Sequence, residues 1–267
     1  KLKEEEEQLN GRVRFLFQPA EELGYGAKVM AKTNALDDVQ AIVGFHNYPT
    51  LDIGEFAIKS GVTTSAVDRF EFHIQGKGAH AAKPEQGNDP VIVVGQLINS
   101  LQSIVSRNLS AFDSAVITIG EVSCGNTWNV IADQAYIQGT VRTFDAEKRQ
   151  YIEQRMHEIS EGLSQAFNVE MELTYTQLPG AVVNDENLTD QAIEVAKEVG
   201  YHVHMMTEPL TIGEDFSGYT KDYPGVFAFI GSNSKYDLHH PKYDPDERIL
   251  EKVPTYFVKL VQKLLKG

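Results

Sequence analysis

The sequence predicts an α/β protein: an open, mostly parallel sheet with helices on its faces, interrupted by an inserted ferredoxin-like α+β domain. Three observations lead there. Residues 11–62 alternate strand and helix, residues 65–176 change to a β-α-β-β-α-β order, and the first style returns from Leu178 to the end. Strand–helix alternation makes a mostly parallel sheet, whereas the middle order is that of one antiparallel sheet with two helices on a single face. The expected boundaries are therefore 1–64 with 177–267 for the first domain and 65–176 for the insert.

The elements follow in order. Lys1 to Gln8 is a charged helical run. Val13 to Phe17 alternates and predicts a strand, stopped by Pro19, which has no N–H to give a ladder. Tyr25 to Lys32 predicts a helix, Ala41 to Phe45 an apolar strand and Ile53 to Ile58 another. In the insert, Arg69 to Gln75 alternates with Phe70, Phe72 and Ile74 on one face. A helix from Pro90 to Arg107, strands at Ala115–Ile119 and Ala135–Arg142, a long amphipathic helix from Glu147 to Phe167 and a strand at Val169–Tyr175 complete it. Beyond it come a helix at Asn187–Val199, extended chain at Val203–Met206, a short apolar strand at Phe227–Ile230 and a last helix at Lys252–Leu265.

Composition narrows the function classes. The 267 residues are 42% hydrophobic, enough for a core, and carry a net charge of −14. No basic face is available to neutralise phosphates, so a nucleic-acid partner is not expected. No apolar run approaches the ~20 residues that cross a bilayer, so no membrane partner is expected either. The lone Cys124 cannot form an intramolecular disulfide, which suits a reducing, cytoplasmic setting. A chain that opens on a charged run at Lys1 reads as the later part of a longer protein, with the N-terminal part of the first domain missing.

Chemistry-bearing residues gather at strand ends. Glu21 and Glu22 follow the strand expected at Val13–Phe17, and His46 follows the one at Ala41–Phe45 and opens the loop Asn47-Tyr48-Pro49. His239 and His240 follow Phe229-Ile230-Gly231 and a polar loop. Ligands of open α/β sheets collect beyond the carboxyl ends of strands, and imidazole with carboxylate suits zinc, manganese or nickel. Adjacent histidines do not easily serve one metal, so one of the two is the ligand. Each residue also has an inert reading: most Glu pairs are solvated charge, His80 could cap the next helix, Arg142 could sit in a surface ion pair and Asn129 could bond its own turn. Cys124 has no local basic partner and reads as structural. His73, on the strand of Phe70 and Ile74, is expected to be exposed on the opposite face.

Seven segments occur in one family's order: Gln18-Pro19-Ala20-Glu21-Glu22, Gly44-Phe45-His46, Gly76 to Ala82, Asn129-Val130-Ile131, Gly139 to Phe144, Gly213-Glu214-Asp215-Phe216 and Leu238-His239-His240-Pro241. In these the chain resembles the metal-dependent amidohydrolases related to hippurate hydrolase, N-acyl-amino-acid hydrolases (aminoacylases) and N-acetyldiaminopimelate deacetylase. The resemblance implies a zinc-exopeptidase-like catalytic domain with a lid and dimerisation domain inserted, and hydrolysis of N-acyl amino acids, N-acetyl or aromatic acyl. It makes Glu21 the general base acting on metal-activated water, and Glu22, His46 and His239 metal ligands. It makes His80 the group that polarises the scissile carbonyl in a partner subunit's site, and has Asn129 and Arg142 hold the substrate. Glu214 and Asp215 take a supporting role. Two divalent ions per subunit (Mn, Zn, Ni or Co) and a homodimer through the lid are implied. One departure stands out. The family's upstream His-x-Cys-Gly-His segment has no match here, so two ligands and the first strands of the sheet are not in this chain.

The roles are chemically coherent. A bound divalent ion brings the pKa of water from 15.7 to about 7, and a carboxylate beside it can take the proton while a cation or imidazole faces the oxyanion. One Glu cannot readily act as base and ligand at once, which gives an adjacent pair its use. A dipeptidase or carboxypeptidase of the same family is the rival enzyme reading. A catalytically incomplete binding or dimerisation module is the rival from another class.

Overall fold

The computed structural model describes residues 1–265; the last two residues of the 177–267 block lie outside the described residues. Along the chain run α1 (Gly26–Met30), β1 (Ile42–Tyr48), β2 (Glu55–Ile58), β3 (Ala66–Gln75), α2 (Pro90–Ser103), β4 (Ala115–Cys124), β5 (Gln134–Thr143), α3 (Ala146–Phe167) and β6 (Glu170–Gln177). Then come α4 (Glu186–Glu198), β7 (His202–Met205), α5 (Ser217–Thr220), β8 (Gly225–Gly231) and α6 (Ile249–Leu264). The opening charged run forms a 3-10 helix over Leu2–Gln8. The chain divides into two compact units. The first comprises Lys1–Thr64, Val182–Leu210 and Glu214–Gly267, and the second Ser65–Ala181 with Thr211–Gly213.

The first unit is built on a four-stranded sheet in the order β1-β8-β2-β7. β1 pairs with β8 in parallel, His46 opposite Phe229, and β7 pairs in parallel with β2. The central contact of β8 with β2 is antiparallel, so the sheet is mixed though mostly parallel. All seven residues of β8 are buried, as a continuous apolar run covered on both faces must be. Phe56, Ile58, Ala192, Val195, Val226, Ile230, Tyr256 and Leu260 form the core between sheet and helices. Helix α4 starts where it does because the Asp185 carboxylate accepts the Leu188 N–H at 2.9 Å, satisfying one of the free donors of the first turn.

The second unit carries an antiparallel sheet in the order β4-β5-β3-β6. Read as the first to fourth strands of the unit, this order is second-third-first-fourth, the ferredoxin-like arrangement. Phe70, Phe72 and Ile74 face Leu97, Leu101, Ile104, Ile152 and Met156 of the helical layer, and His73 on the alternate side is exposed. Asp89 caps α2 through Val91 N at 2.9 Å, with Pro90 at the first helical position where no N–H is needed. A buried ion pair ties the sheet to α3. The Asp68 carboxylate accepts from Arg149 Nε at 3.0 Å and from the Tyr175 hydroxyl at 2.8 Å.

Three expectations are corrected. Val13 to Phe17 is not a strand: residues 12–20 carry no regular structure, and Phe17 is 89% exposed. Alternation signals a strand only if a neighbour supplies the ladder, and among the described residues none lies beside this segment. His46, in turn, does not follow β1 but lies inside it, because the parallel pairing with β8 continues through Tyr48 and Gly231. The first helix is also shorter than its expected span of Tyr25 to Lys32.

Candidate active site

Glu21 to Gly24 forms a tight turn between the irregular segment that ends in Gln18-Pro19-Ala20 and α1. Ala20 has φ +60°, the left-handed region that side chains other than glycine enter at a cost of about 1–2 kcal/mol. Gly24 N donates to Glu21 O at 2.6 Å and closes the turn. The turn lies hard against the start of α1, and a Cβ at Gly26 would stand 1.9 Å from Pro19 O and 2.9 Å from Gln18 Nε2. Only glycine permits that approach.

Behind the turn sit two buried acids from the loop before α5. Glu214 is 5% and Asp215 3% exposed. Glu21, Glu214 and Asp215 each offer an oxygen within 4.8 Å of the others. Asp215 is held by Gln18 Nε2 at 2.9 Å to both oxygens and by Ala27 N at 2.9 Å. Glu214 accepts Phe216 N at 3.0 Å. Burial is the main cause raising the Glu21 carboxyl above its ordinary value, with Asp215 and Glu22 adding to it and His46 opposing. Burial likewise pushes Glu214 up to about 7, against the Phe216 N–H and with Glu21 and Asp215. Three carboxyls this close carry more negative charge than their protein neighbours balance. Such a group suits protons or a nearby cation.

The imidazoles are oriented by their second nitrogens. His46 Nδ1 lies 2.6 Å from the Asn47 carbonyl, an acceptor only, so Nδ1 carries the hydrogen and in the neutral ring Nε2 presents a lone pair. That is the state in which a ligand histidine is held. His240 has the opposite tautomer when neutral: Nδ1 accepts Lys242 N at 3.0 Å and the ring stacks on Tyr236 at 4.4 Å. Its Nε2 is then a donor, which leaves His239 as the one of the two with a free ring. His239 has φ +63°, and its Nε2 lies 3.9 Å from Glu22 Oε2, both side chains being about three-quarters exposed. Glu22, His46 and His239 do not close to the spacing that unites Glu21, Glu214 and Asp215.

His80, Asn129 and Arg142 belong to the second unit. Ala79–His80 pairs with Val130–Ile131, and Ala81 N donates to Asn129 O at 3.2 Å, so Asn129 sits in the turn just before the strand that pairs with that of His80. His80 Nδ1 accepts Ala82 N at 3.0 Å, which makes Nε2–H an outward donor on an exposed ring. Arg142 donates to the Val141 carbonyl at 3.2 Å and to Thr140 Oγ1. It forms no ion pair among the described residues, and burial lowers its pKa against the opposing effect of Asp68. Sequence reasoning gave Gln18 and Tyr219 no role. Gln18 lies within a motif already singled out, while Tyr219 sent no signal of its own.

The chain matches the model of peptidase family M20/M25/M40 over residues 1–263. It is 42% identical over 264 residues to N-acetyl-L-cysteine deacetylase of Bacillus subtilis, covering 99% of this chain and 63% of that protein. To an N-acetylcysteine deacetylase of the same organism it is 40% identical over 266 residues, covering 99% of this chain and 70% of that one. The chain thus spans about two thirds of the length of these relatives. A crystal structure of a dinuclear metal-binding M20 peptidase from Bacillus subtilis superimposes with TM-score 0.84 at 36% identity, covering 99% of this chain and 68% of that chain. No helix among the described residues is long and apolar enough to cross a membrane.

Proposed function

The chain belongs to peptidase family M20/M25/M40, and from that premise we propose that the natural protein carrying it hydrolyses the amide bond of N-acyl amino acids, with N-acetyl amino acids as first substrates. The observation that carries the proposal is the Glu21 carboxyl, raised above its ordinary value beside two buried acids. A carboxyl tuned upward takes a proton more readily than a free one and can still return it, which is what amide hydrolysis asks of one group.

Glu22, His46 and His239 would hold a divalent cation, and a carboxylate with imidazoles is a donor set that fits that role. Such an ion supplies charge that acidifies water and polarises a carbonyl. Glu21 takes one proton from the attacking water as its oxygen bonds to the acyl carbon. As the C–N bond breaks, Glu21 delivers that proton to the leaving nitrogen, yielding a carboxylic acid and a free amino acid. His80 Nε2–H is assigned to the carbonyl oxygen in a partner subunit's site, where negative charge develops. Arg142 and Asn129 are assigned to the substrate carboxylate, and pairing of subunits is assigned to the second unit.

The test is hydrolysis of N-acetyl-L-cysteine, an N-benzoyl amino acid and a dipeptide by the natural protein, with manganese or zinc added and again after chelation. Metal-dependent release of the free amino acid from the N-acyl substrates is expected. Cleavage of the dipeptide alone would move the reading to a dipeptidase, and metal-independent or absent cleavage would refute it.

A further inference from the structure

Glu21 stands on a turn that local sequence does not favour. Ala20 occupies φ +60°, and strained backbone at a site persists only when its surroundings over-determine it. What holds this turn is a hydrogen-bonded chain of side chains that ends on a backbone N–H and runs beside the Glu21 carboxyl. Tyr219, buried on α5, donates its hydroxyl to Gln18 Oε1 at 2.6 Å. The other end of the same amide, Nε2, donates to both oxygens of Asp215 at 2.9 Å. Asp215 Oδ2 in turn accepts Ala27 N at 2.9 Å, at the start of α1. The Gln18 amide has a hydroxyl on its oxygen and a carboxylate on its nitrogen, so its orientation is fixed from both sides. The turn is thereby pinned just before Pro19 and Ala20 by Gln18, and just after Glu22 by α1.

We propose that Asp215, Gln18 and Tyr219 form a clamp of positioning residues that sets the Glu21 carboxylate for proton transfer. The inference rests on Glu21 being the general base. Neither Asp215 nor Gln18 needs to touch substrate. Their contribution is to hold a carboxylate within the narrow tolerance that proton transfer demands, where a misplacement of about 1 Å can cost about 100-fold in rate.

The experiment compares Gln18→Ala, Gln18→Glu and Tyr219→Phe with the wild-type protein and with Glu21→Gln, using N-acetyl-L-cysteine and added manganese. Gln18→Ala is expected to lower kcat by about 100-fold with KM within about twofold, and Tyr219→Phe to lower kcat by about tenfold. Gln18→Glu distinguishes a clamp from bulk packing. When protonated, the introduced carboxyl can still donate to Asp215 and accept from Tyr219; when ionised, it repels Asp215. Its activity relative to wild type is therefore expected to fall at least about tenfold between pH 5.5 and pH 8. A second readout needs neither metal nor turnover: hydrogen exchange of residues 18–27 in the metal-free protein should quicken in Gln18→Ala, with α4 and α6 unchanged. If Glu21→Gln is inactive while the clamp variants keep kcat within about twofold of wild type, the clamp is refuted and the base stands. If Glu21→Gln retains full activity, the base reading is what fails. Unchanged exchange over residues 18–27 in Gln18→Ala refutes the clamp whatever the kinetics.

Discussion

Glu214 is a carboxyl placed where folding alone would not choose one. Its pKa is pushed up to about 7 by burial, so between about 4.5 and 7 the folded chain binds a proton that the unfolded chain has released. Stability contributed by this group is thus complete below the unfolded value and is lost as pH rises through the folded one. Glu214→Gln keeps the acceptor for Phe216 N and removes the ionisation. In the metal-free chain it is expected to raise stability at pH 7 by roughly 1–3 kcal/mol and to leave it unchanged at pH 4, measured by urea denaturation at both values. A destabilised variant at pH 7 would show that Glu214 is better accommodated as an anion than its surroundings indicate. Glu21 and Glu22 were legible as an adjacent pair after a proline, and His46 and His239 as imidazoles near strand ends. The links that orient them were not. A Gln in a loop and a Tyr on a four-residue helix show their connection only when chain separated by about 200 residues is brought together.

At the scale of elements, the second unit depends on one buried charge. Asp68 is paired with Arg149 and Tyr175, and Arg149 also donates to the Leu178 carbonyl at 2.8 Å. Asp68→Ala would leave a guanidinium only 13% exposed without its counter-ion, so a loss of roughly 3–5 kcal/mol is expected in chemical denaturation. A loss below 1 kcal/mol would mean that Arg149 reaches water or another acceptor. Three long helices were readable from their apolar spacing, and the structure shows each capped by a carboxylate, Asp89, Asp145 and Asp185. The single antiparallel sheet of the second unit followed from the β-α-β-β-α-β rhythm. Val13 to Phe17 misled because period-two alternation records only the strand's own half of a pairing. His46 was set one step too late because Asn47 and Tyr48, polar and followed by Pro49, read as loop while the ladder of β8 carries them in register.

For the whole molecule, a net charge of −14 and the cluster of Glu21, Glu214 and Asp215 both suit a cation. The resemblance read from seven ordered segments agrees with the family match over residues 1–263, whereas the mixed pairing within the first sheet was not visible because direction is fixed by connections rather than by composition. The central claim is that Glu21 carries the proton in an amide hydrolysis. The most direct measurement is kcat for N-acetyl-L-cysteine with saturating manganese in the natural protein and in its Glu21→Gln form, with metal content determined on both. The account predicts equal metal content and a fall in kcat of at least about 100-fold, the lower range of general-base catalysis. Equal metal content with undiminished kcat would contradict it.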